Sequence, residues 1–97
     1  MFVREDAERI AHNLCTAVAS QSDMPLAAAR IGLWLAGRVE EHGAPLDTSI
    51  REIQRATRCH ISTVHTAIDW LKGNHIIATS EGSVLRGGYK ATRVSAP

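Results

Sequence analysis

Ser49-Ile50-Arg51-Glu52-Ile53-Gln54-Arg55-Ala56-Thr57-Arg58-Cys59-His60-Ile61-Ser62-Thr63-Val64-His65-Thr66-Ala67-Ile68-Asp69-Trp70-Leu71-Lys72 is the stretch on which the fold turns. Ser49 and Glu52 stand at capping-box spacing, where a hydroxyl and a carboxylate satisfy the free amides of a helix start. Ile50, Ile53 and Ala56 give that helix an inner face as far as Thr57. A second apolar series, Val64, Ala67, Ile68 and Leu71, begins after His60–Ile61 and runs to Lys72. Gly73-Asn74 then closes it. The spacing therefore predicts two short helices joined by a turn of about three or four residues.

Downstream, the pattern changes from helical to alternating. Ile76-Ile77-Ala78-Thr79-Ser80 reads as a strand, Glu81-Gly82 as a turn and Arg86-Gly87-Gly88 as a second breaker. Tyr89-Lys90-Ala91-Thr92-Arg93-Val94 alternates with period two, so residues 76–94 predict a hairpin. Upstream, residues 3–19 carry Val3, Ala7, Ile10, Leu14 and Val18 at three- and four-residue steps, an amphipathic helix. Pro25 suits the start of the next helix, 25–42. Its apolar positions (Ala27, Ala28, Ile31, Leu33, Trp34, Leu35, Val39) cover most of its circumference, which predicts a central helix with several neighbours. Gly43-Ala44-Pro45 ends it, and Leu46 offers a very short strand. The fold class is mainly α with a C-terminal β-hairpin, in a single domain spanning 1–97.

Composition narrows the function. The chain has 97 residues, 44% of them hydrophobic, and a formal charge of +1. That suffices for one core and excludes a crude polycation. The acidic N-terminus, Met-Phe-Val-Arg-Glu-Asp, is unlike a signal peptide, and no apolar run is long enough to span a membrane. Two cysteines, Cys15 and Cys59, are too few for a disulfide scaffold and suit a reducing cytoplasm. The charges are unevenly placed: residues 1–48 sum to −3 and residues 49–97 to +4. A basic second half predicts an anionic partner.

Residues 49–77 resemble the helix-turn-helix core of bacterial winged-helix regulators, the broad group that includes the MarR-like and GntR-like families. The matching stretches are Ser49-Ile50-Arg51-Glu52-Ile53, Ala56-Thr57, Ser62-Thr63-Val64, Leu71 and Ile76-Ile77. The resemblance covers about a third of the chain, or about half with the hairpin, and identifies the superfamily without a single family. It implies a winged helix-turn-helix with an extra N-terminal helix. Two positions depart from the pattern: Arg58 stands where the turn usually has glycine, and Asn74 or His75 where glycine precedes the first wing strand.

The expected function is double-stranded DNA binding by a transcriptional regulator, a dimeric repressor reading a palindromic site. On a helical wheel Ser62, His65, Thr66 and Asp69 lie opposite the apolar face of the second helix. Short polar groups at a helix N-terminus can enter a major groove, so Ser62, Thr63, His65 and Thr66 are the candidates for base readout. Arg51, Arg55 and Arg58 fall at i, i+4 and i+7 of the first helix, where with His60 they would meet phosphates. Arg86, Lys90 and Arg93 equip the wing for the minor groove or backbone. Val3, Ile10, Leu14 and Val18 form a stripe that either pairs two chains or closes the domain's own core. Each feature also has a plainer reading as a solvated face or an ordinary loop; their order along the chain favours DNA.

Other readings carry less. Five histidines, with Cys15 and Cys59, show no zinc-ligand spacing, so no metal or cofactor is expected. Cys59 reads as a small core residue more than a redox switch. No phosphate loop, nucleophile elbow or carboxylate pair points to an enzyme. Two alternatives remain for the same fold: a plasmid or phage replication or partition protein, and a winged-helix module that binds or inhibits a protein partner without touching DNA. The small size suggests a mobile element, and the expected location is cytoplasmic, associated with the nucleoid.

Overall fold

A computed structural model describes residues 4–84 and 90–97. The element order is α1 (Arg4–Ser20), α2 (Leu26–His42), β1 (Leu46–Thr48), α3 (Ile50–Thr57), α4 (Ile61–Gly73), β2 (Ala78–Val84) and β3 (Lys90–Ser95). The three strands form one antiparallel sheet in the order β1-β3-β2. The chain is thus mainly helical with a small sheet, and Leu46 does begin a short strand.

The core is aliphatic. Ile10, Leu14, Ile31, Leu35, Val39, Ile53, Val64, Leu71 and Val94 are all fully buried. α2 carries the central role its composition implied, packing against α1, α4, α3 and β1. Its N-terminus follows Pro25 and no side chain caps it, while Gly43, at φ 86°, ends it and returns its amide to the Val39 carbonyl. That positive φ is open to glycine at little steric cost.

Ile10 and Leu14 lie at 0% exposure inside this core. They complete the domain's own interior and are not free to meet a second chain. Val18 is half-buried at the edge of the same face, and Val3 lies outside the described residues. A stripe with Ile10 and Leu14 at its centre has only one place to go when α2 runs alongside.

Two local readings are corrected. In α3 the inner face is formed by Ile50, Ile53 and Thr57, while Ala56 is exposed. On the 100° wheel Thr57 lies between the directions of the two isoleucines and Ala56 beyond them. Thr57 tolerates burial because its hydroxyl donates to the Ile53 carbonyl at 2.6 Å. In the tail, Ile76 and Ile77 precede β2 and plug the core, and Glu81-Gly82 lies within β2. The pairing with β3 reaches Val84 opposite Lys90, with an irregularity between Glu81 and Val84 that accommodates the glycine.

Candidate nucleic-acid interface

The α3–α4 unit is set by hydrogen bonds at each of its joints. Ser49 caps α3, its hydroxyl accepting from the Glu52 amide at 3.0 Å. The Glu52 carboxylate accepts from Arg38 of α2 and from the Thr48 hydroxyl of β1, both at 3.2 Å. One acidic residue therefore ties the start of α3 to two other elements. Arg38 also lies 5.6 Å from the Trp34 ring centre, within cation–π range. Its Nε is buried without a partner, so the clamp leaves one donor unsatisfied.

Arg58 ends α3 in the left-handed region, φ 57° and ψ 29°. It takes the conformation that glycine would adopt with less strain, and its amide donates to the Gln54 carbonyl at 2.8 Å. His75 repeats the arrangement after α4, also at φ 57°. Both departures from the winged-helix pattern therefore sit at left-handed backbone positions. Arg30 of α2 secures the turn by donating to the Thr57 carbonyl at 2.9 Å. The orphan carbonyl at a helix end thereby gains a charged partner.

α4 starts on His60. Its Nδ1 accepts from the Ser62 amide at 3.2 Å and lies 2.8 Å from the Ser62 hydroxyl. Accepting from the amide assigns the neutral ring's proton to Nε2, which is left as a donor. His60 thus caps the helix rather than standing only as a phosphate contact. Four residues on, the Thr66 hydroxyl donates to the Ser62 carbonyl at 3.0 Å and keeps its lone pairs as acceptors. Ser62, His65, Thr66 and Asp69 are exposed together on the outer face of α4, and Thr63 is half-buried on its flank.

Arg51, Arg55 and Arg58 are exposed. Since α3 stops at Thr57, only the first two share its helical face; Arg58 leaves from the cap. Arg51 already has a further interaction within the fold. The acid nearest this row, Glu52, is occupied by Arg38 and Thr48. The local charge is consequently positive, with Asp69 as the opposing carboxylate on α4.

The three cations expected on a wing divide. Arg93 grips Asp47 across the β1–β3 pair, Nε to Oδ1 at 3.0 Å and Nη2 to Oδ2 at 3.3 Å. The hydrogen bond and then the charge of Asp47 raise the Arg93 pKa above its ordinary value. A guanidinium neutralised in this way is less available to phosphate than the sequence suggested. Lys90 opens β3 opposite Val84, and Arg86 lies outside the described residues.

Sequence reasoning missed three participants. Arg30 and Arg38 come from the acidic half, and nothing in local spacing announces contacts to residues 27 and 14 positions away. The third is a cleft of about 230 Å³ lined by Pro25, Ala27, Ser62, Thr63, Thr66 and Ala67. It places the start of α2 beside the outer flank of α4. The Trp34–Arg38 pair, one helical turn apart, is the one signal readable beforehand.

Cys59 is half-buried against the core and Cys15 is exposed, both as thiols. Among the described residues no three His, Cys, Asp or Glu side chains are grouped as a metal site requires. No described helix is long and apolar enough to cross a membrane. Comparison with protein-family models, curated proteins and solved structures gives no match in any of the three.

Proposed function

We propose that this chain is a sequence-specific, double-stranded-DNA-binding regulator: a winged helix-turn-helix with an added N-terminal helix, acting as a dimeric repressor on a palindromic site. The observation that carries the reading is the outer face of α4. Ser62, His65 and Thr66 are exposed together there, while Arg55 and Arg58 stand exposed on the helix and turn that precede them. In such an arrangement α4 enters the major groove, its hydroxyls and imidazole meeting base edges. The arginines meet phosphates, which adds affinity without sequence information.

The element order supports the same reading. A short strand before α3, then α3, α4 and a hairpin whose return strand lies between the other two, is the order that a helix-turn-helix backed by a wing would have. The near-neutral total charge makes nonspecific attraction modest. Useful affinity then comes from two copies and from base readout.

Selection from a randomised duplex library tests the proposal. The wild-type chain is expected to enrich a palindromic site. Ser62→Ala and Thr66→Ala are expected to change the preferred bases at one or two positions in each half-site, by about 1–3 kcal/mol per lost contact. No enrichment, or identical preferences in both variants, would overturn it.

A further inference from the structure

We infer that the exposed stripe of α2 is the surface on which two copies of this chain meet, as an antiparallel helix pair about a two-fold axis. This deepens the dimer part of the function proposed above and does not depend on DNA binding. α1 supplies no such surface, because Ile10 and Leu14 are spent on the core. The large hydrophobic residues exposed among those described are Leu26 (75%), Leu33 (50%) and Ile61 (43%), and two of the three lie on α2.

The outward residues of α2 are Leu26, Arg30, Leu33, Gly37 and Glu40, at successive steps of four, three, four and three. They form one row along the helix. The row is complementary to itself when reversed. With the axis opposite position 35, Leu33 faces the partner's Gly37, and Arg30 faces the partner's Glu40.

A Cβ added at Gly37 would meet nothing within 4 Å, so the helix surface is open there and a partner's side chain can approach the backbone closely. Leu33, one turn earlier, is an exposed apolar side chain that can lie against the partner's Gly37. Both contacts occur twice, as an isologous interface demands.

The charges agree. Glu40 has no ion-pair or hydrogen-bond partner among the described residues, whereas Glu41 lies 3.9 Å from Arg38. Arg30 spends one donor on the Thr57 carbonyl. Its guanidinium has further donors for the partner's carboxylate. A glycine in the middle of an exposed helix weakens that helix. Close approach of a partner at Gly37 would give this glycine a packing role.

Sedimentation equilibrium of the full chain over a concentration series, without DNA, tests this. The expected result is a reversible monomer–dimer equilibrium. Leu33→Asp is expected to weaken it about tenfold or more, the scale of losing a central interface residue. Gly37→Gln places a side chain in that open space while favouring the helix, so it is expected to weaken the dimer and to raise the Tm measured at concentrations where both chains are monomeric, which separates interface loss from unfolding. Leu33→Asp combined with Gly37→Lys is expected to restore dimers through the new cross-pair. Ala19→Asp, on the outer face of α1, is expected to change nothing.

A wild-type chain that stays monomeric, a dimer unaffected by Gly37→Gln, or a dimer lost on Ala19→Asp would overturn the assignment. Loss of DNA binding with the dimer intact would instead count against the DNA reading alone.

Discussion

The helix pairs α1–α2 and α3–α4 share one hydrophobic core but differ in what is added to it at their joints. α1 and α2 meet along a continuous aliphatic seam in which Ile10, Leu14, Ile31 and Leu35 are fully buried. α3 and α4 bury Ile53, Val64 and Leu71 in the same core, and named polar contacts are added at their joints: the Ser49 cap, the Arg30 bond to Thr57, the left-handed Arg58 and the His60 cap. The first pair is a scaffold positioned by non-directional burial. The second adds directional bonds at its joints to the same kind of burial, and its outer face carries exposed polar side chains. Burial is non-directional, so the bonds at the joints fix the placement of that face more closely than burial alone.

The largest expected effect falls in the scaffold. Leu35→Ala removes a fully buried side chain. It is expected to cost about 2–5 kcal/mol, read as a lower urea midpoint at unchanged m. A smaller loss there would show that the seam is looser than its burial implies.

Next comes the α3 joint. Ser49→Ala leaves the Glu52 amide without its acceptor and is expected to cost about 1 kcal/mol. Arg58→Gly has the opposite sign. Releasing a non-glycine residue from φ 57° is expected to stabilise the fold by roughly 0.5–1 kcal/mol. It also removes an exposed charge that the proposed function assigns to phosphate, so DNA affinity is expected to fall as Tm rises. If both fall together, Arg58 is holding the turn by contacts other than its backbone geometry.

The smallest expected effect is at the wing. Asp47→Asn uncouples an exposed ion pair, and the urea midpoint is expected to stay close to that of the wild type. The released Arg93 is expected to steepen the salt dependence of DNA binding by about one phosphate contact. The raised Arg93 pKa gives stability that is present below the unfolded-state value and lost only above the folded one, both in the guanidinium range. The pair therefore adds no pH dependence near neutrality.

Much of the architecture was legible in the sequence because it follows from period and punctuation. The steps of Ile10, Leu14 and Ile31, Leu35, the Ser49–Glu52 spacing and the Gly73-Asn74 stop each act locally. The outer face of α4 was legible for the same reason, being the complement of Val64, Ala67, Ile68 and Leu71. The destination of the α1 stripe was not. An apolar row states that it will be buried and is silent on whether by its own chain or another.

Likewise, Arg93 reads as a wing cation until the β1–β3 register sets Asp47 opposite it. Arg30 and Arg38 read as scattered charges until α2 crosses α3. Long-range pairings of polar groups carry no local signature, and the −3 and +4 halves that seem separate in sequence are interleaved at Asp47–Arg93. Among the described residues the basic surface that remains is smaller than the sum suggested, and Arg55 and Arg58 are exposed on it.

That surface is the central claim, and the salt dependence of duplex DNA binding tests it most directly. Fluorescence anisotropy of the wild-type chain and of Arg55→Ala/Arg58→Ala, across a series of salt concentrations, gives the slope of log K against log salt. The expected result is steep loss of affinity with salt, and a slope reduced by about two phosphate contacts in the double variant. Absence of binding at low salt, or a slope unchanged by the two substitutions, would contradict the account.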